Sequence, residues 1–284
     1  MKLVQFWKDD RPALGIQTEQ GVVDVAAEGA RRGVTAPADM WGAIANFDKA
    51  ALAALAEGAE CFTDAPLAPV LTDTDRIFCI GLNYRQHAIE CSLPIPPKPV
   101  LFNKFRNALA AHGDSVTLPA ASYSQFDYEA ELVAVIGKPA RDVSPDEALD
   151  YVFGYTCGND LSTRDLQMAR GNQWVLSKTF DGFAPIGPCL VPADELDPQN
   201  LPISSTVNGE VRQNSNTNDM IFTVAEIISD LSHHFTLQPG DMIFTGTPQG
   251  VIFGYPPEKQ VWLKAGDRVD ITIGGIGTLT TTLR

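Results

Sequence analysis

The chain is short of positive charge. Lys and Arg number 21 against 35 Asp and Glu, a formal net charge of −14 over 284 residues. Nucleic-acid recognition needs a basic patch to meet phosphates, so neither nucleic acid nor an anionic membrane is expected as a partner. An anionic small molecule can still bind, given local cations or a metal. Cysteine is also sparse. Cys61, Cys79, Cys91, Cys157 and Cys189 are odd in number and form no C-x-x-C, which favours reduced thiols in a cytoplasm-like compartment. No His partner is expected near any of them in sequence, which argues against a thiol nucleophile. No apolar run approaches the length of a membrane span. The opening stretch MKLVQFWKDDRPALG has no long apolar core and no small-residue cleavage site. The expectation is a soluble cytoplasmic protein. A G-x-S-x-G elbow is missing, so a serine hydrolase is a poor reading. The stretch TGTPQGV (residues 245–251) lacks the G-K-[ST] ending of a phosphate-binding loop.

What is present supports a large core. The composition is 44% hydrophobic and 20% charged, with 23 Gly and 20 Pro that suggest many turns and short strands. Residues 1–70 read as a small N-terminal domain: strand-like KLVQFW and GVVDVA, then an alanine-rich helix that Asn46 or Asp48 could cap and Gly58 could end. The Pro- and Asp-rich stretch DAPLAPVLTDTDR reads as a connector, which puts a boundary near residue 70. Residues 71–284 carry short apolar runs spaced by Gly and Pro, such as RIFCIG, ELVAVIG and GDMIFTG. Two capping boxes predict short helices, one after Ser144-Pro145-Asp146-Glu147 and one after Thr223 with Glu226. The fold class is α+β and β-rich.

Several acids and bases are candidates for chemistry. Glu129 and Glu131 in FDYEAELVAVIG are two apart, so in a strand both carboxylates share a face. That pattern suits either a solvent-facing edge or a site that wants negative charge. Asp160, in GYTCGNDLSTRDLQ, follows an apolar run and can project into a cleft. Together the three would make an all-oxygen set suited to Mg²⁺ or Mn²⁺ rather than Zn²⁺. His87 and Glu90, in GLNYRQHAIE, share a face if the segment is helical. They form either a general-base pair or a surface ion pair. Lys178 sits among apolar neighbours and is either a desolvated anion binder or a surface lysine. Arg164 and Gln167 are three apart, placed to bind a carboxylate or to solvate a helix. Thr247 lies in a small-residue turn that would let a ligand approach. His112, His233 and His234 read as structural. Asn103, Lys104 and Arg106 are weak candidates for contacting a polar end of a ligand.

Taken in order, GLNYRQHAIE, PVLFNKF, DYEAELVAVIGK, GYTCGNDLSTRDLQ, QWVLSKTFDGFAPIGP, VNGEVRQ, MIFTVAEIIS and PGDMIFTGTPQGV resemble the fumarylacetoacetate hydrolase superfamily, in its acylpyruvase-like branch. The resemblance implies a roll of mixed β-sheets with short helices behind a small N-terminal domain, and a homodimer. It implies Glu129, Glu131 and Asp160 as Mg²⁺ or Mn²⁺ ligands, Lys178 over the substrate keto oxygen and His87 with Glu90 as a lid dyad. Arg164, Gln167 and Thr247 match positions that hold the pyruvate-like end. A further aspartate ligand that the namesake enzyme has upstream finds no counterpart. The implied activity is hydrolysis of a C–C bond in a 2,4-diketo acid, releasing pyruvate and a carboxylic acid. The expected substrate is a 2,4-diketo-3-deoxy sugar acid such as 2,4-diketo-3-deoxyrhamnonate, with lactate as the second product. Oxaloacetate decarboxylation, enol–keto isomerisation and an inactive metal-binding scaffold are the alternatives.

Overall fold

The computed structural model describes residues 1–169, 171 and 173–284. Two large sheets and a two-stranded one organise the described residues, and the fold is α+β and β-rich as expected. The larger has 11 strands. Its main path runs from Gly21–Asp24 through Arg11–Thr18, Lys2–Lys8, Ala184–Pro192, Val152–Asn159, Ala130–Ile136, Met242–Phe244 and Ile77–Gly81 to Val100–Lys104. The smaller has five strands: Glu210–Asn216, Pro202–Val207, Arg268–Ile273, Gly277–Leu283 and Ser115–Val116. The first strand pairs antiparallel with Ala184–Pro192, Leu3 opposite Leu190, so the N-terminal segment shares the large sheet. No helix among the described residues is long and apolar enough to cross a membrane.

The strand Ala130–Ile136 shows why sequence becomes sheet here. Every residue in AELVAVI is buried. Ala130, Leu132, Ala134 and Ile136 enter one apolar cluster, and Val133 and Val135 enter the other. A strand covered on both faces has no polar face to alternate with, which accounts for the near-continuous apolar run. Its neighbour Val152–Asn159 is equally buried. Gly158 is required there, because a Cβ would lie 2.5 Å from a Phe244 ring carbon and 2.6 Å from a Val133 methyl.

The alanine-rich helix runs Lys49–Ala56, capped by Asp48, whose side chain accepts from the Ala51 amide. Asn46 instead ends the preceding helix Met40–Ala45. Gly58 lies just beyond the second helix at φ 64°. The helix Val224–His234 carries the full capping box, with Thr223 and Glu226 bonded reciprocally. The Ser144 box does not open an α-helix. Its hydroxyl donates to Glu147 over 2.7 Å, but the chain makes a turn and then a short 3₁₀ segment, Ala148–Tyr151. The strand beginning at Val152 takes over there, and its ladder leaves no room for a longer helix.

Candidate active site

The acid trio is assembled by strand register. Ala130 lies opposite Asn159 and Glu131 opposite Gly158 in the antiparallel pair. One step beyond, the Asp160 amide donates to the Glu129 carbonyl over 3.0 Å. Glu129 and Glu131 keep the same parity and, with Asp160, bring three carboxylate oxygens within 4.8 Å of one another. All three side chains are buried, at 6%, 1% and 0% exposure. A solvent-facing edge is thereby excluded.

Buried like charges need compensation, and the three acids receive it unequally. Glu129 Oε1 accepts from Arg164 Nη2 at 2.6 Å and Oε2 from Lys178 Nζ at 2.8 Å. Burial opposes its ionisation, but Lys178 and Arg164 outweigh that and hold the carboxyl below the usual range. Asp160 Oδ2 accepts from Lys178 over 2.7 Å. Glu131 accepts from the Gly246 amide over 2.7 Å. Burial, then Asp160 and Glu129, push its proton affinity well up.

The remaining Asp160 oxygen shares its cation. Lys104 Nζ stands 2.6 Å from Asp160 Oδ1 as a buried ion pair and also donates to the carbonyls of Leu161, Lys178 and Phe183. Three clustered carboxylates, one of them driven towards protonation by its neighbours, mark a pocket short of positive charge. The all-oxygen donor set fits a hard divalent ion such as Mg²⁺ or Mn²⁺.

Lys178, at the end of the short helix Val175–Lys178, is buried rather than a surface lysine. It also donates to Ser162 over 2.9 Å and stands 5.2 Å from the Phe102 ring centre. Burial lowers its pKa, but Asp160 and Glu129 raise it further, so it stays an ammonium. Arg164 donates to Asp127 over 2.9 Å and to Gln167 over 3.0 Å as well as to Glu129, so its guanidinium nitrogens all have protein partners. Thr247 donates to the Ala130 carbonyl over 2.9 Å and accepts from Gln213 over 2.8 Å.

His87 and Glu90 sit on the short helix Arg85–Glu90, with His87 Nδ1 2.8 Å from Glu90 Oε1. The other Glu90 oxygen accepts from the Gly250 amide over 2.8 Å. A Cβ at Gly254 would fall 2.5 Å from Glu90 Cδ, so a larger residue there would have to displace the carboxylate. Burial lowers the His87 pKa, but Cys91 and Glu90 raise it more, with help from Glu129, to about 9. The Glu129 contribution places the imidazole within electrostatic range of the acid trio.

Two residues with roles here escaped sequence reading, and a third was given the wrong role. Asp127 accepts from Arg164 and from the amides of Tyr128, Ile252 and Phe253, tying the trio's strand to the loop after Thr247. Its parity with Glu129 and Glu131 was a usable signal. Gln213 holds Thr247 and Pro248 with its amide group and the Ala130 amide with its oxygen; nothing local in EVRQNSN distinguishes it. Lys104 is a buried structural cation and not a contact for a distal ligand group, while Arg106 is exposed and pairs with Asp73. The expectation that no cysteine has a nearby histidine is also corrected. Cys91 Sγ lies 3.9 Å from His87 Nδ1, one helical turn away.

Residues 76–284 match the fumarylacetoacetate (FAA) hydrolase C-terminal family. The chain belongs to that family. A fumarylacetoacetate hydrolase domain-containing protein 2 homolog from Dictyostelium discoideum is 47% identical over 79% of this chain and 74% of its own. An oxaloacetate tautomerase from Bacillus subtilis is 45% identical over 75% of this chain and 71% of its own. The crystal structure of a maleylpyruvate hydrolase from Sphingobium, in complex with manganese(II) and pyruvate, superposes with a TM-score of 0.81. It is 30% identical and covers 100% of this chain and 98% of that one. The FAA hydrolase family thus includes relatives of this chain that carry out isomerisation and relatives that carry out hydrolysis.

Proposed function

We propose that this FAA hydrolase-family enzyme interconverts the enol and keto forms of a short 2-oxo dicarboxylic acid of the oxaloacetate class. The observation that carries the reading is the buried His87–Glu90 pair, whose ring is raised to about 9 within range of the acid trio. At neutral pH such a ring holds a proton to give. Ketonisation needs a proton delivered to C3 of the enol and the hydroxyl proton released to solvent water, from which the spent donor is reprotonated. His87 delivers the first from Nε2, and Glu90 on Nδ1 keeps the ring aimed. Lys178 places a fixed positive charge beside the trio, where the 2-oxo oxygen gains negative charge. Phe102 packs the face of its ring against that ammonium. Glu129, Glu131 and Asp160 would hold Mg²⁺ or Mn²⁺, which when bound supplies Lewis-acid stabilisation of that charge. The 45% identity to an oxaloacetate tautomerase supports the reading.

A second reading is hydrolysis of the C–C bond of a 2,4-diketo acid, such as 2,4-diketo-3-deoxyrhamnonate, to pyruvate and a carboxylic acid. The same pair would serve it only with the ring neutral, when His87 can take a proton from water, and the likeness to a maleylpyruvate hydrolase supports it. No side chain described above selects a sugar-derived end. The test is a paired assay with Mg²⁺ and with Mn²⁺. Enol-oxaloacetate decay is followed by absorbance, and pyruvate release from oxaloacetate and from several 2,4-diketo acids by a coupled dehydrogenase. Accelerated enol decay without pyruvate release supports tautomerisation. Faster pyruvate release from a diketo acid replaces it with hydrolysis, release from oxaloacetate alone replaces it with decarboxylation, and no turnover of any substrate points to a metal-binding scaffold. A homodimer is proposed as the working state, to be checked by light scattering.

A further inference from the structure

The helix Arg85–Glu90 and its cap residue carry more than a proton-transfer pair. His87, Glu90 and Cys91 offer one nitrogen, one oxygen and one sulfur that lie within 4.8 Å of one another. We propose that these three side chains form a second metal site, selective for Zn²⁺ and similar thiophilic cations, that switches the enzyme off. The binding claim stands on geometry alone, while the inhibition rests on the proposed role of His87.

Spacing and distances both fit. Positions i, i+3 and i+4 fall on one helical face. His87 Nδ1 is 2.8 Å from Glu90 Oε1 and 3.9 Å from Cys91 Sγ. Tetrahedral zinc, with bonds of about 2.0–2.3 Å, holds its ligand atoms roughly 3.3–3.8 Å apart. The carboxylate needs to open by a few tenths of an ångström, and the thiol is already at range. Glu90 is fixed from behind by the Gly250 amide, so Oε1 stays presented to the histidine. Water completes the fourth position, as in other three-ligand zinc sites. The donor chemistry separates the two sites. Sulfur and imidazole select Zn²⁺ over Mg²⁺, whereas the all-oxygen trio selects the hard ion.

Inhibition follows from where the zinc attaches. On binding, the Cys91 thiol releases its proton to bulk water as the Zn–S bond forms, and any proton on His87 Nδ1 leaves likewise. A neutral imidazole coordinated through Nδ1 must carry its remaining proton on Nε2. That proton is then fixed, because the ring has no second nitrogen free to take up or give charge. His87 is frozen as a donor that cannot cycle, and Glu90 no longer orients it.

Cobalt(II) titration of the Mg²⁺-saturated enzyme tests the site, because a Co²⁺–thiolate bond gives a charge-transfer absorption that an oxygen-ligated ion lacks. The expected result is a one-equivalent band that Zn²⁺ displaces, that Cys91→Ser and Cys91→Ala abolish and that Cys61→Ser leaves intact. Zinc inhibition of enol-oxaloacetate turnover, each variant normalised to its own zinc-free rate, should need at least about tenfold more Zn²⁺ in Cys91→Ser. No band in the wild type, or a band unchanged in both Cys91 variants, overturns the site. A normal band with wild-type turnover unaffected by Zn²⁺ overturns the inhibition. If the enzyme proves not to be a tautomerase, the spectroscopic result still decides whether the metal binds.

Discussion

The acid trio and the His87–Glu90 pair are held by different kinds of scaffold. Glu131 lies in one of two adjacent, fully buried strands near the middle of an 11-stranded sheet, with Glu129 and Asp160 one residue beyond their ends, all three locked by register and by three buried cations. His87 and Glu90 hang from a six-residue helix whose N-cap residue, Tyr84, makes no side-chain cap bond. A few tethers hold that helix: Arg85 to the Met220 carbonyl, the Gln86 amide to Asp219, and Glu90 to the Gly250 amide. The contrast separates two demands. Charge stabilisation needs donors that do not relax, and proton transfer needs a group that can approach and withdraw.

Four measurements sharpen or break that contrast. The largest effect belongs to Glu131→Gln. It keeps the shape and the Gly246 contact while removing a charge its neighbours disfavour. Metal-dependent turnover should fall by more than about 10³-fold, because several kcal/mol of charge stabilisation go with the ion. Folding stability, by urea denaturation, should hold or rise; a marked loss would show that the trio is structural. His87→Gln should lower kcat by about 10²–10⁴-fold with Mn²⁺ affinity unchanged. Weakened Mn²⁺ binding in that variant would erase the division between the two regions.

The pH dependence comes next. His87 is raised by Cys91 and Glu90 against its burial, to about 9. Ketonisation by its protonated form should therefore be flat at neutral pH and fall as pH rises through about 9. Glu90→Gln should move that fall to lower pH. Hydrolysis driven by the neutral ring gives the opposite slope. A histidine with a raised folded-state pKa contributes stability that is complete below about 6.5 and is lost as pH rises through about 9. The smallest effect is that of Arg85→Ala, about 0.5–1.5 kcal/mol. It should appear as faster amide exchange in the helix Arg85–Glu90 but not in the strand Ala130–Ile136.

Legibility in the sequence follows how local each signal is. The strand carrying Glu131 and the capped helix Val224–His234 were readable because period and capping are written in adjacent residues. The spacing of Glu129, Glu131, His87 and Glu90 was readable for the same reason. That Asp160 joins the trio was one open reading of the residues until the family resemblance favoured it, since the strand register that brings it there spans 30 residues of chain. Lys104 and Gln213 were not recognised as structural at all. Their roles consist of satisfying buried groups from distant segments, which no window of sequence displays. Ser144 shows the opposite failure, where a valid local signal yields to the strand that follows. Cys91 was overlooked although its turn-apart spacing from His87 was plain once the helix was accepted.

Lys104, buried behind Asp160, alters the electrical arithmetic of the pocket. With all groups ionised, the carboxylates of Asp127, Glu129, Glu131 and Asp160 face the cations Lys104, Arg164 and Lys178, which leaves one surplus negative charge. A divalent ion turns that deficit into one surplus positive charge, and a protonated His87 adds nothing to it, because Glu90 balances it. One anionic group on a guest then brings the cavity to neutrality, whereas without Lys104 the loaded pocket would already be neutral. The pull on a guest's carboxylate can thus arise from a lysine that never touches it.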